Sequence, residues 1–263
     1  MKAGWTKITA AIAALALLGA LTAVAQAEIA QKGNVRLTVS SKISPNALPR
    51  KGSAPISVSI GWNVTTTDGS QPPKLHKLRI AINRAGHFNP AGLPTCTESR
   101  IQPGATTRAL AACRSALVGQ GSFSAIVALA GQEPYATSGR MVVFNAIQHK
   151  KPVLLGHVYS SRPFANSFVI VFKLKEIAHG TYGTALTATL PQALSSWGNL
   201  TGIKMKLSRH FFYKGHRRSY VTAGCPAPKG FRLASFRLAQ ATFSFNGGSA
   251  LGSTVSGSCR AKG

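Results

Sequence analysis

Hydrophobic and polar positions alternate along most of the chain. In PISVSIGWNV (55–64), Ile56, Val58, Ile60 and Trp62 share one side while Ser57, Ser59 and Gly61 take the other. Successive side chains of extended backbone point to opposite faces, so this is the pattern of a half-buried strand. KLHKLRIAIN (74–83) repeats it, with Leu78, Ile80 and Ile82 set against Lys77 and Arg79. Comparable segments lie at 34–41, 122–130, 140–149, 152–161, 167–175, 181–190, 200–213, 217–223 and 241–247. Gly, Pro, Asn and Ser separate them, and the pattern predicts an all-β fold, an antiparallel β-sandwich of roughly ten to twelve short strands.

One segment departs from alternation. In ATTRALAACRSALVG (105–119), Leu110, Cys113 and Leu117 recur at three- and four-residue spacing, Ala109 and Ala116 widen the stripe, and Arg108 and Arg114 fall outside it. This spacing predicts one short helix over about 105–118. Pro103-Gly104 with Thr106 and Thr107 supplies its start, and Gly119 follows its end. Asp68-Gly69 and Pro72-Pro73 mark 65–74 as a loop, since proline cannot sit inside a central strand. FFYKGHRRSY (211–220) reads as a hairpin turning at Lys214-Gly215-His216. With no fixed-period repeat and no low-complexity linker, 28–263 is read as one domain; the alternative is two smaller β domains split near residue 163.

The N-terminus has a different layout. Lys2 and Lys7 precede an apolar run over 8–20, and small residues follow at Ala23, Ala25 and Ala27. This is the three-part organisation of a secretory signal peptide, and cleavage is predicted after Ala27. The apolar run is about a dozen residues, short of the ~20 that a permanent membrane-spanning helix needs. The mature chain is therefore expected to be secreted or envelope-associated. Its four cysteines, Cys96, Cys113, Cys225 and Cys259, are an even set that suits an oxidising compartment. Of the three possible pairings, Cys96 with Cys113 and Cys225 with Cys259 are favoured because each pair brackets one compact segment. A zinc site is disfavoured because no C-x-x-C knuckle is present.

The blocks ALPRKGSAP (47–55), TDGSQPPKLHKLRIAINRAG (67–86), GLPTC (92–96), RIQP (100–103), ALAACRSALVGQGSF (109–123) and AGCPAPKGF (223–231) resemble those of a family of exported proteins from high-GC actinobacteria. The resemblance implies export. No activity is assigned to that family, so it carries no catalytic residue to this chain.

Charge narrows the functional classes. Lys and Arg number 31 against 5 Asp and Glu, a formal net charge of +26. Loss of a leader removes Lys2 and Lys7 but no acid. Paired-carboxylate catalysis has little material: Asp68 is a turn residue, Glu98 stands beside Cys96, Glu133 precedes Pro134, and Glu176 ends a strand. G-x-S-x-G is absent, as is any phosphate-cradling loop, and no cofactor is expected. None of the histidines forms H-E-x-x-H or an i, i+4 pair, and His76 and His157 fit strand positions better than metal ligation.

The densest basic stretch is KMKLSRHFFYKGHRR (204–218), where Lys204, Lys206, Arg209, Lys214, Arg217 and Arg218 surround Phe211, Phe212 and Tyr213. Basic groups among aromatics suit phosphate pairing and base stacking, but export argues against nucleic acid and towards anionic envelope polymers or lipid surfaces. The plainer alternative is that Ile203, Met205 and Leu207 enter the core and the lysines between them are simply solvated. The expectation is a non-catalytic, envelope-associated binding protein with those six residues as contacts. The rivals are an envelope hydrolase using Glu98, Glu133 or Glu176, and a ligand-free structural surface component.

Overall fold

The computed structural model describes residues 26–161, 165–191 and 198–262. Residues 1–25, which hold nearly all of the expected signal sequence, and 162–164, at the alternative domain boundary, lie outside the described residues. The alternating segments form strands β1 (Gln26–Lys32), β2 (Val35–Ser44), β3 (Ala47–Pro49), β4 (Ala54–Pro55), β5 (Ser57–Thr66), β6 (Leu75–Asn83), β7 (Gly86–Phe88), β8 (Leu117–Val127), β9 (Tyr135–Gln148), β10 (Lys151–Ser160), β11 (Asn166–Glu176), β12 (Tyr182–Thr189), β13 (Gly198–Leu207), β14 (His210–Tyr213), β15 (His216–Ser219), β16 (Val221–Ala223), β17 (Leu233–Phe245) and β18 (Ala250–Lys262). Among the described residues helix is confined to one turn, α1 (Glu98–Ile101), and to α2 (Thr106–Cys113), which runs into a 3-10 turn over Arg114–Ala116.

Thirteen strands make one sheet in the order β1-β2-β5-β13-β8-β9-β10-β11-β12-β6-β17-β18-β3. Its pairings are antiparallel except for the short β18–β3 contact. A right-handed twist of a few tens of degrees per strand, summed over so many strands, curls the sheet upon itself. β1 comes to lie beside β18, and Trp62 on β5 meets Phe243 on β17 edge-on at 5.1 Å between ring centroids. The facing layers of the all-β fold are therefore two stretches of a single curled sheet. Two small sheets, β4-β16-β7 and the hairpin β14-β15, complete the strands.

The core follows the alternation. Ile60, Trp62 and Val64 of β5, Ile203, Met205 and Leu207 of β13, and Leu78 and Ile80 of β6 are buried in one apolar cluster. Over β9, β10 and β11 the pattern changes: Met141–Ala146 and Val153–Val158 are buried without a break. Alternate residues there face the main core, and Val142, Phe144, Val153, Leu155 and Val169 form a second cluster with Ile101, Ala109, Cys113 and Ala116. The helical segment is thus a flap on the outer surface of these three strands. Its buried stripe matches the predicted one, but the helix stops earlier than predicted: Leu117 and Val118 already belong to β8. Gly119 lies inside that strand as well, packed so closely on Leu207 that a Cβ there would approach the leucine to 2.6 Å.

Both disulfides join the sequence-local pairs, Cys96–Cys113 and Cys225–Cys259. The first ties the flap to the loop that enters it. Asn145 supports that loop by donating to the carbonyls of Leu93 (3.3 Å) and Pro94 (3.2 Å). Ser167 Oγ accepts from the Gly104 amide at 3.1 Å. The second disulfide holds the loop after β16 against β18. There the Arg50 guanidinium donates to the carbonyls of Ala227 (2.7 Å), Pro228 and Phe231 (2.6 Å). Two disulfides, and the absence among the described residues of a helix able to cross a membrane, are compatible with an extracellular protein.

The loops closed are 17 and 34 residues long. Replacing Cys96 and Cys113 by serine should therefore cost about 3 kcal/mol of unfolding free energy, and replacing Cys225 and Cys259 about 4 kcal/mol, on chain-entropy grounds. Denaturant titration of the two double variants measures both.

His157 predicts a pH dependence. It is fully buried on β10, with Nε2 3.0 Å from the Gly104 carbonyl, so that Nε2 carries the proton. Desolvation holds its pKa below the ordinary 6.5, partly offset by hydrogen bonding to the carbonyl of Gly104 and to backbone at His157 and Ile101. The other six histidines are exposed. Because the unfolded chain takes up the proton first, stability is full above the unfolded pKa, falls as pH drops below about 6.5, and levels off beneath the folded value. The unfolding midpoint should decline from pH 7.5 to 5, and His157→Gln, which keeps an N–H near Nε2, should remove most of that decline.

Candidate anion-binding face

On β13 the core takes Ile203, Met205 and Leu207, leaving Lys204 and Lys206 exposed on the outer face. Register identifies their neighbours. Lys204 lies opposite Gly61 of β5 and Ser122 of β8, and Lys206 opposite Ser59 and Gln120. One strand further, Ser40 of β2 pairs with Gly61 and Lys42 with Ser59; on the other side Arg140 of β9 pairs with Ser122. Two rows result, Lys42-Ser59-Lys206-Gln120 and Ser40-Gly61-Lys204-Ser122-Arg140. They border an open groove of about 360 Å³ whose rim carries Lys42, Lys204 and Lys206.

Strand geometry sets the spacing of these charges. Lys204 and Lys206 stand two residues apart, about 7 Å along β13, and Lys42 is two strands from Lys206, about 10 Å away across Ser59. Arg140 donates from Nη2 to Gln120 Oε1 at 3.0 Å. No carboxylate lines the groove.

The hairpin holds a second basic group. β14 and β15 join through Lys214 and Gly215, both with positive φ (51° and 76°), the backbone handedness that suits a two-residue hairpin turn. Lys214 and Arg218 lie over the Tyr213 ring at 5.6 and 5.4 Å from its centroid, within cation–π range. Arg217 stands opposite Phe212, whose side chain is 77% exposed. Arg209 lies in the connection between β13 and the hairpin, half-buried, and its carbonyl accepts from the Tyr220 amide at 2.8 Å. The six predicted contacts thus divide into a pair on the groove, a trio on the hairpin and one residue between.

Lys42, Gln120 and Arg140 were missed by reading the sequence. Alternation sends Lys42 to the face opposite Ile43, but nothing local says that residues 42, 59, 206 and 120 form one row.

The acids do not assemble. Asp68 is held in its turn by hydrogen bonds from the Ser70 hydroxyl, Asn34 Nδ2 and the Ser70 amide, which lower its pKa to about 2. Glu98, Glu133 and Glu176 are exposed on separate elements. Among the described residues no group of three His, Cys, Asp or Glu side chains could hold a metal. An interior void of about 40 Å³ beneath the small β4-β16-β7 sheet is lined by Ile43, Ile56, Val58, Phe88 and Leu238 among others. It is room for a few waters at most, on an apolar surface that does not attract them.

No family model, curated protein or solved structure matches the chain.

The hairpin's seat on the body gives a prediction. Gly92, at φ +83°, is packed under Tyr213, and a Cβ there would fall 2.2 Å from the ring. Gly92→Ala should displace Tyr213 and cost about 1–3 kcal/mol, through steric overlap and the unfavourable φ. Thermal unfolding gives the loss, and the Tyr213 ring resonances report the displacement.

Proposed function

We propose that the protein is an exported, non-catalytic binding protein of the cell envelope, grouped with the actinobacterial family its sequence blocks resemble, and that its basic outer face attaches it to anionic polymers. The observation that carries this reading is the groove on β2, β5, β13 and β8, which Lys42, Lys204 and Lys206 all border and where no acid lies among the lining residues. Structural surface charges in proteins are usually interspersed with opposite ones. A concentration of cations without acids is costly in self-repulsion, and an anionic partner relieves it. The hairpin trio Lys214, Arg217 and Arg218 adds a second point of attachment, with Arg209 lending long-range charge.

Hydrolysis has no comparable support. It requires two carboxylates, or a nucleophile and its base, to share a cleft, and none of the cavities described is lined by an acid.

Attachment of this kind is screened by salt, since the Debye length shrinks from about 10 Å at 0.1 M to about 3 Å at 1 M. Fluorescence anisotropy with a labelled polyanion should show affinity falling by about tenfold or more over that range. Binding that is equally tight at both salt concentrations would sink the proposal.

A further inference from the structure

Resting on that reading, we infer that the groove over Ser59 and Gly61 is the selective part of the basic face and takes a chain of repeating phosphodiester and polyol units.

The first argument is the donor inventory. Lys42, Lys204 and Lys206 offer ammonium donors only. Gln120 uses its carbonyl oxygen to accept from Arg140 at 3.0 Å, which leaves its NH₂ as the group available to a ligand. Ser40, Ser59 and Ser122 supply hydroxyls on the same surface, each able to donate or to accept. Fixed donors at the rim and hydroxyls on the floor suit a ligand that carries oxyanions and alcohols in turn.

The second argument is spacing. Cations about 7 Å apart along β13, with a third about 10 Å away across β5, are too far separated to converge on one oxyanion. They match charges that recur along a chain. Between them the floor is low. Ser40 Oγ lies 2.8 Å from where a Cβ of Gly61 would stand, so a hydroxyl occupies the space of the missing side chain. Gly61 itself is buried, so the floor at that point is the Ser40 hydroxyl.

Two other phosphate-bearing partners fit less well. Single-stranded nucleic acid is held by stacking on aromatic rings, and no aromatic residue lines the groove. A membrane surface is gripped by apolar side chains beside the cations, yet among the described residues none of the exposed large hydrophobic ones, Ile29, Ile147, Phe212, Phe231 and Leu233, borders it.

The test measures binding of the full mature protein to four probes at low salt: a synthetic glycerol-phosphate oligomer, polyglutamate of equal charge, oligothymidylate of equal charge, and phosphatidylglycerol vesicles. The glycerol-phosphate oligomer should bind at least about tenfold more tightly than polyglutamate, the margin that directional hydrogen bonds add to plain charge attraction. Ser122→Leu blocks the floor without altering charge. It should abolish that margin and leave polyglutamate binding unchanged, whereas Arg217→Gln with Arg218→Gln should weaken both polymers alike. Unchanged unfolding midpoints establish that the variants fold. Equal affinity for both polymers, insensitivity to Ser122→Leu, or tighter binding of oligothymidylate or vesicles overturns the groove assignment while leaving general anion attachment standing. Failure to bind any of the four overturns both.

Discussion

A strand with one apolar face must cover that face, and this chain is made almost wholly of such strands. The structure answers with one sheet that curls until its own two halves meet. Trp62 against Phe243 is the visible seam of that closure: β5 and β17 stand far apart in strand order, yet their rings touch at 5.1 Å. Each large side chain so buried contributes roughly 1.5–3 kcal/mol relative to exposure. With so few acids, ion pairs are too scarce to replace that contribution. Apolar closure and two disulfides hold the body together, while several arginines, Arg50 and Arg84 among them, tie loops down through backbone carbonyls.

Much of this was legible in the sequence, because strand burial has period 2 and needs no long-range information. Ile203, Met205 and Leu207 are in the core and Lys204 and Lys206 outside it, as alternation required. The buried stripe of α2 was equally plain, and so was the hairpin at Lys214-Gly215. The strands that escaped had weak side-chain signals. In β18, ALGSTVSGSCRAK, only Leu251, Val255 and Cys259 are substantial apolar residues, and Ser253 fills a buried position between them. β3, β4 and β7 are two or three residues long, too short to show a period at all. The helix was overextended because Leu117 continues the helical stripe, while in the fold it opens β8 opposite Phe144.

The candidate site was legible only in part, for a reason of topology. Lys204 and Lys206 announce themselves as neighbours because they share a strand. Their partners come from β2, β5, β8 and β9, and the join depends on which strands pair and in what register. Antiparallel register is set by turns and by the global curl, neither of which a single run of residues contains. The hairpin trio, by contrast, lies in one local motif and could be named directly.

The same sheet also explains why the basic groove lies where it does. Along β9, β10 and β11 the sequence carries unbroken apolar runs, MVVF and PVLL among them, and both faces are buried because α1 and α2 cover the outside. Along β2 and the groove-lining stretches of β5, β13 and β8 it alternates, so the outer face there is polar. The switch from continuous to alternating hydrophobicity within one sheet therefore separates a covered half from an open half. Disulfide Cys96–Cys113 and the His157–Gly104 hydrogen bond fix the cover on the first half. On the second, serines keep the surface low between the lysines, whereas bulky polar residues would have solvated the face equally well and filled the groove. Solubility accounts for the lysines; it does not account for the low floor between them, and that is the feature a bound chain would use.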